Sequence, residues 1–442
     1  MKRRGATWTG SPRCVYSSPF LPSLPGCFPL VSAANDPPVR LYGRTFVIAI
    51  LSQMGFVLGN TLMAHYGRWI EHLGGDVGNV GSIMGLGAIS AVVCRPWLGQ
   101  LINKLGSRTT WAIGYLFFSV GVVANLLIPD ALLVDHPGLV LYLFRFSMAL
   151  GAAFVFTSSL TYVTHLTPKN RRTEAIGILG IAGFTGMMIG PFLGDLLLGH
   201  PDRSRDDFVM MFLVAGGSIV VPSVLLLFLP RLEQHRVEQT GGLVRFIQIC
   251  RQHWPGPIVL MNLAFGICMT VPFVFLPTFV DERGIELGSW SPIGVFFWIY
   301  AGWGITLRVV FRRLPERLGR HRVLYVGALF MVLAMVMYYL IDPARPWTFM
   351  LAAWCGGTGH GLMFHTAVSV TIDKFPPEVR GTGTALATMF VDLGVVGGPP
   401  VLAIIARQTS YQQMFLVIGG LVALITILYA WSRHFRLRSS SG

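Results

Sequence analysis

The sequence predicts an all-α membrane protein: twelve transmembrane helices in two pseudo-symmetric six-helix bundles. Three observations predict it: too little charge for a hydrated surface, twelve apolar runs of spanning length, and positions that recur between the two halves. Of 442 residues, 53% are hydrophobic and 12% charged, with a mean hydropathy of +0.61. A soluble domain carries about 25% charged residues, so water cannot cover this surface. A soluble enzyme, a disordered chain and a nucleic-acid binder are excluded despite the net charge of +14. In such a chain, surplus Lys and Arg records topology. The six cysteines show no CxxC spacing, so no disulfide framework, metal site or cofactor is predicted.

A helix of about 20 apolar residues crosses a hydrocarbon core of about 30 Å. Runs of that kind cover 45–66, 78–98, 109–128, 138–162, 174–197, 208–229, 257–279, 290–311, 321–341, 346–370, 381–403 and 411–432. They are continuously apolar instead of alternating, which favours helices over a β-barrel. Only 78–98, rich in Gly and Ser, could instead re-enter. With the N-terminus inside, the inside loops hold Lys and Arg over the outside loops by roughly four to one, placing both termini in the cytoplasm of a cell-membrane protein. An odd number of spans would mix the two sets.

The organisation expected is a bundle over 45–229, a cytoplasmic linker over 230–256, a second bundle over 257–432 and a short tail over 433–442. Residues 1–44 are rich in Pro, Ser and Arg and lack a signal-peptide core. They read as a disordered cytoplasmic tail, or as sequence upstream of a misassigned start.

The halves repeat. At an offset of 208, Gly151, Phe156, Pro168, Arg172, Gly190 and Pro191 meet Gly359, Phe364, Pro376, Arg380, Gly398 and Pro399. At an offset of 213, Arg95, Leu101, Leu105, Gly106 and Arg108 meet Arg308, Leu314, Leu318, Gly319 and His321. Spans 2–5 thus fall on spans 8–11 in order, a parallel repeat about an axis along the membrane normal.

Span 2 carries Arg95-Pro96 and runs into Gly99, Asn103, Lys104, Gly106 and Arg108. This resembles the loop 2–3 signature of the major facilitator superfamily. Arg145 followed by Gly151 is similar to that family's fourth helix, and Gly186, Gly190, Pro191 and Gly194 to the Gly-Pro signature of its antiporters. Three departures stand out: the family's Asp is Asn103, Arg312 replaces a Gly in the second-half counterpart (Glu316, Arg317, Gly319), and Asp195 closes the span 5 motif. Gly394, Gly398 and Pro399 repeat the Gly-x-x-x-Gly-Pro pattern in span 11, so that pattern is less diagnostic of antiport. The resemblance implies twelve helices over 45–432, with spans 1, 4, 7 and 10 around a pathway.

Loop residues Asn103, Lys104 and Arg108, with Glu316, Arg317 and Arg320 opposite, lie at the cytoplasmic edge. Together with Arg95, Gly99, Gly106, Arg172, Arg308, Gly319 and Arg380 they are candidate gating groups that join when that side closes; the alternative is a set of topological anchors. Gly at i and i+4 lets helices approach closely in lipid, so Gly186/Gly190/Gly194 and Gly394/Gly398 are packing faces, with Pro191 and Pro399 bending them. An intramembrane charge costs roughly 2.5–3.5 kcal/mol and faces protein or a water path. Asp392 is therefore the candidate proton carrier and Arg145 a fixed cation near the path, unless they form structural pairs. His360 and His365 could contact substrate, relay protons or bond neighbouring helices. Gln53, Asn60 and Asn262 are candidate lining residues, and Phe273, Phe275, Trp298 and Trp303 are either an apolar wall or lipid-facing and interfacial residues.

The predicted function is a secondary transporter moving a small organic solute by alternating access, with proton-coupled export leading and uptake symport its nearest rival. Its expected partners are solute, protons and the lipid bilayer, without nucleic acid, and a monomer suffices. A non-transporting sensor is the rival from another class. A primary pump or membrane enzyme lacks its motifs here, having no P-loop, Gly-x-Ser-x-Gly or His-Glu-x-x-His.

Overall fold

The computed structural model describes residues 42–75, 77–129, 138–198, 203–232, 242–287, 291–345 and 347–439; the side chains of 77, 78, 191, 195, 281 and 435–439 are outside the description. The expectation for the N-terminal tail falls almost wholly outside these residues. Among them are twelve long helices: α1 Arg44–His72, α2 Asn79–Leu105, α3 Ser107–Leu127, α4 Leu139–Leu166, α5 Lys169–Leu198, α6 Arg205–Leu227, α7 Ile258–Val280, α8 Pro292–Val310, α9 Arg320–Tyr339, α10 Trp347–Ile372, α11 Pro377–Gln408 and α12 Tyr411–His434. Eleven are long and apolar enough to cross a membrane by composition. The remaining one, α10, is diluted by Gly356, Gly357, Gly359, Gly361, His360 and His365, which are all buried. Its polarity faces protein, so lipid sees little of it.

Several helices run beyond the expected limits, and burial explains two of the differences. Helix α1 continues past residue 66 because Tyr66, Trp69 and Ile70 are buried. There the Tyr66 hydroxyl and the Trp69 indole both donate to Asn125 Oδ1, at 2.9 and 3.1 Å. The 230–256 linker contains a helix, Gly242–Gln252, that buries Phe246, Ile249 and Cys250. The helix of α12 also runs on to Ser439, into the stretch expected as a tail.

The duplication is visible in the packing. Helix α3 packs on α4 as α9 packs on α10, α1 on α5 as α7 on α11, and α2 on α4 as α8 on α10. Between the halves, α2 meets α11 and α5 meets α8, two seams that the repeat interchanges. Gly106 and Gly319, which the 213 offset equates, hold φ of 90° and 93° at the turns after α2 and before α9. That region favours Gly, which lacks the Cβ that would clash. Gly186, Gly190 and Gly194 lie against Val57, Thr61 and His65 of α1. Gly394 and Gly398 lie against Leu263, Ile267 and Thr270 of α7. Helix α11 runs without interruption through Pro399 and Pro400.

Each half lends side chains to the other. Val368, Ile372 and Ala387 join the core of the first half, and Phe184 of α5 joins that of the second. Outward-facing apolar residues such as Leu116, Val220, Leu227 and Ile427 remain exposed, as lipid-facing positions of a bundle should be.

Candidate functional site

Between the halves lies a cavity of about 320 Å³, within the range of small-molecule sites, walled by Gln53, Asn60, Arg95, Phe156, Phe184, Phe273, Arg308, His360, Phe364 and Asp392 among others. Local helix irregularities shape it. The Pro272 nitrogen has no proton to donate, and α7 widens into a π turn over Val271–Phe275, which brings Phe273 to the wall. Helix α5 is interrupted at Gly180, where the Arg308 guanidinium lies so close that a Cβ would overlap it.

Of the residues expected along the pathway, Gln53, Asn60, Asp392 and His360 line this cavity. The His360 Nδ1 is 3.0 Å from the Tyr300 hydroxyl. The rest lie elsewhere among the described residues. Arg145 is turned into the first half, packed on Gly87 with its guanidinium 5.7 Å from the Tyr66 ring centre. Asn262 donates to Thr371 Oγ1 at 2.9 Å inside the second half. His365 is buried against Gly177 of α5. Of the apolar wall, Phe273 lines the cavity, Phe275 is in the core, Trp298 is exposed on the outside, and Trp303 donates to Thr358 at 2.8 Å.

Arg95 and Arg308, grouped by sequence with the gate, are cavity residues. Arg95, not Arg145, is the partner of Asp392. Its Nε and Nη2 reach Asp392 Oδ2 at 2.8 and 2.6 Å, while Nη1 donates to Ala153 O at 3.3 Å and to the Thr157 hydroxyl. The ion pair bridges α2 and α11, hence the two halves, with side chains 5% and 25% exposed. Arg308 lies with its guanidinium carbon 4.3 Å from the Phe184 ring centre. It is 4% exposed, and its Nε and Nη2 are buried without a hydrogen-bond partner among the described residues.

The end of the bundle that carries Tyr42 and the Gly106 and Gly319 turns, here called the basic end, is closed by contacts between the halves. Asp373 at the end of α10 forms ion pairs with Arg172 of α5 and Arg320 of α9, and Arg320 also donates to Lys169 O. The Glu174 carboxylate accepts from Arg171 Nε and Nη2 at 2.8 and 2.9 Å and from Tyr42 at 2.5 Å. Arg312 and Arg313 of the second half are 3.5 and 3.6 Å away. The Glu174 amide donates to Glu316 Oε1 at 2.9 Å, Asn103 Nδ2 to Thr382 Oγ1 at 2.8 Å, and Arg380 Nη1 to Thr164 O at 3.2 Å. Gly99 lies directly on Ala385 and Thr382. Burial pushes the Glu316 carboxyl up from its ordinary value. Burial, then the bond to Glu174, raises the Tyr42 hydroxyl to about 12.

Other predicted gate groups do not cross. Arg108 donates to Leu227 O within the first half, at 3.0 Å, and Lys104 and Arg317 are exposed. Sequence reasoning missed Glu174, Asp373 and Thr382. The repeat contained the signal: the 208 offset equates Thr382 with Glu174 and Asp373 with His165, and the 213 offset equates Glu316 with Asn103. The bond from Asn103 to Thr382 is thus the counterpart of Glu316 accepting from Glu174.

The family model described as Major Facilitator Superfamily matches residues 45–399 and 344–441. Multidrug resistance protein 1 of Bacillus subtilis (strain 168) is 23% identical over 373 residues, 84% of this chain and 91% of that one. Among solved structures, the human organic anion transporter MFSD10 (TETRAN) matches with a TM-score of 0.67 at 16% identity, covering 89% of this chain and all of that chain (100%). The transporter FucP, in an outward conformation, matches at 0.71 and 15%, covering 89% and 99%. At these identities the structural likeness speaks to the fold.

Proposed function

We propose that this chain, which belongs to the Major Facilitator Superfamily of multi-pass membrane transporters, exports a small organic solute by alternating access in exchange for protons. One observation carries the coupling: a carboxylate inside the cavity is paired with a cation on the opposite half. Protonating Asp392 leaves a neutral acid beside Arg95, whose guanidinium keeps its bonds to Ala153 and Thr157. Losing one charge of a buried pair costs about 3–5 kcal/mol. Asp392 is a quarter exposed, so solvent screening brings the expected effect to about 1–3 kcal/mol. That is the size of coupling that allosteric equilibria use.

The excess of Lys and Arg at the basic end makes it the cytoplasmic end of a cell-membrane protein, with both termini inside. With that end closed, Asp392 takes its proton from the outer side. The weakened α2–α11 seam then parts toward the cytoplasm, where entering solute and the departing proton exchange. A monomer holds every group required. Multidrug-resistance proteins among the relatives fit export over uptake.

The test is flux in proteoliposomes under imposed pH gradients of either sign. Wild-type protein should accumulate solute only where protons leave, and Asp392→Asn should lose gradient-driven accumulation while retaining solute–solute exchange. Full gradient-driven transport by Asp392→Asn would overturn the coupling, accumulation along the proton flow would establish uptake symport, and ligand binding without flux would indicate a sensor.

A further inference from the structure

We infer that Arg308 is the receptor for a single carboxylate on an otherwise apolar organic solute; the inference rests on the transport reading above and names its substrate class. Arg95 and Arg308 occupy equivalent places 213 residues apart, and Asp392 and Phe184 equivalent places 208 residues apart. Where α11 offers Asp392 to Arg95, α5 offers Phe184 to Arg308. The duplicated arginine has its carboxylate in one half and a phenyl ring in the other.

That ring, 4.3 Å from the guanidinium carbon, satisfies one face of the cation by a cation–π contact and none of its N–H groups. Nε and Nη2 stay buried and unpartnered among the described residues, although Arg308 lines the cavity. A buried guanidinium without acceptors is costly, and a planar carboxylate matches its fork of donors. The charge balance agrees. The cavity wall carries two guanidinium groups and one carboxylate, so it retains an uncompensated positive charge whenever Asp392 is ionised. Phe184, Phe273 and Phe364 offer rings to the body of the solute. The missing half of the duplicated ion pair is supplied by the cargo.

The experiment uses the full chain in detergent at pH 7.5 and a charge series on one ring system: 1-naphthoate, neutral 1-naphthamide and cationic 1-naphthylmethylammonium, with binding measured by calorimetry. Wild-type protein should prefer naphthoate over naphthamide by about 10- to 100-fold, the range for one hydrogen-bonded charge. The preference should fall to near unity in Arg308→Gln and survive in part in Arg308→Lys. Phe184→Asp, which supplies the carboxylate from within, should abolish it too, and serves as the second variant should Arg308→Gln fold poorly. An equal or reversed order in the wild type, no naphthoate binding, or an undiminished preference in both Arg308→Gln and Phe184→Asp overturns the inference. Flux under a pH gradient separates this failure from the other. Gradient-driven transport without a naphthoate preference removes the anion site and leaves the transporter, whereas the preference without flux removes the transport reading alone.

Discussion

Replacing Asp373 by Asn should open the basic end. Asp373 is the acceptor shared by Arg172 and Arg320, with side chains 11%, 6% and 17% exposed, so the cluster is close to the buried regime. Removing one charge from a buried pair costs about 3–5 kcal/mol, and the remaining amide oxygen recovers about 1 kcal/mol as a neutral acceptor. The closed state should lose about 2–4 kcal/mol, a shift of roughly 30- to 900-fold in the closed-to-open ratio. The readout is a single cysteine at Ser369, in a background without other cysteines. Ser369 is buried behind the gate, its hydroxyl 2.9 Å from that of Thr173, so a water-soluble maleimide reaches it only from the open state. Labelling should accelerate by that ratio until opening itself limits the rate. An acceleration of less than threefold in a protein whose melting temperature is unchanged would refute the claim that these ion pairs hold the gate shut.

Asn103→Asp should act in the opposite direction, because a carboxylate at this position, beside Thr382 in the first turns of α11, meets the positive end of that helix. A contribution of about 0.3–1 kcal/mol should slow Ser369→Cys labelling by roughly two- to fivefold, and faster labelling would count against this helix-end contact. Glu316→Gln probes the raised carboxyl. A carboxyl pushed up by burial in the closed state stabilises closure while protonated and loses that contribution as pH rises through the raised value. The variant should therefore label more slowly than wild type at pH 7 and at a similar rate at pH 4; an equal ratio of rates at both values would contradict the burial effect.

The spans were legible because hydropathy reports depth along the membrane normal, and twelve runs at that depth leave few arrangements. Direction around each helix was not legible. Asp392 and Arg145 both fall within long apolar helices, yet nothing in a single apolar run says that Arg145 turns inward onto Gly87 and Tyr66 while Arg95 crosses the seam. Only the repeat carried that information, since a duplicated arginine implies two equivalent seams. The glycine faces were legible for the opposite reason: spacing of four on a helix fixes a face whatever its orientation. Glu174 and Asp373 were passed over because each stands near basic residues that suit a loop as well as a gate, and only packing distinguishes the two.

The linker helix Gly242–Gln252 gives the two seams unequal freedom. It packs on both α2 and α11, and Phe246, Ile249 and Cys250 share a small core with Phe375, Val379, Ala385 and Leu386. No comparable strap lies over α5 and α8 among the described residues. Any parting at this end must first peel the strap from one of its two supports, while the facing seam is held by the individual hydrogen bonds and ion pairs described above. Motion here should resemble a door, with jamb and free edge, more than a pair of scissors, despite the near-symmetry of the leaves.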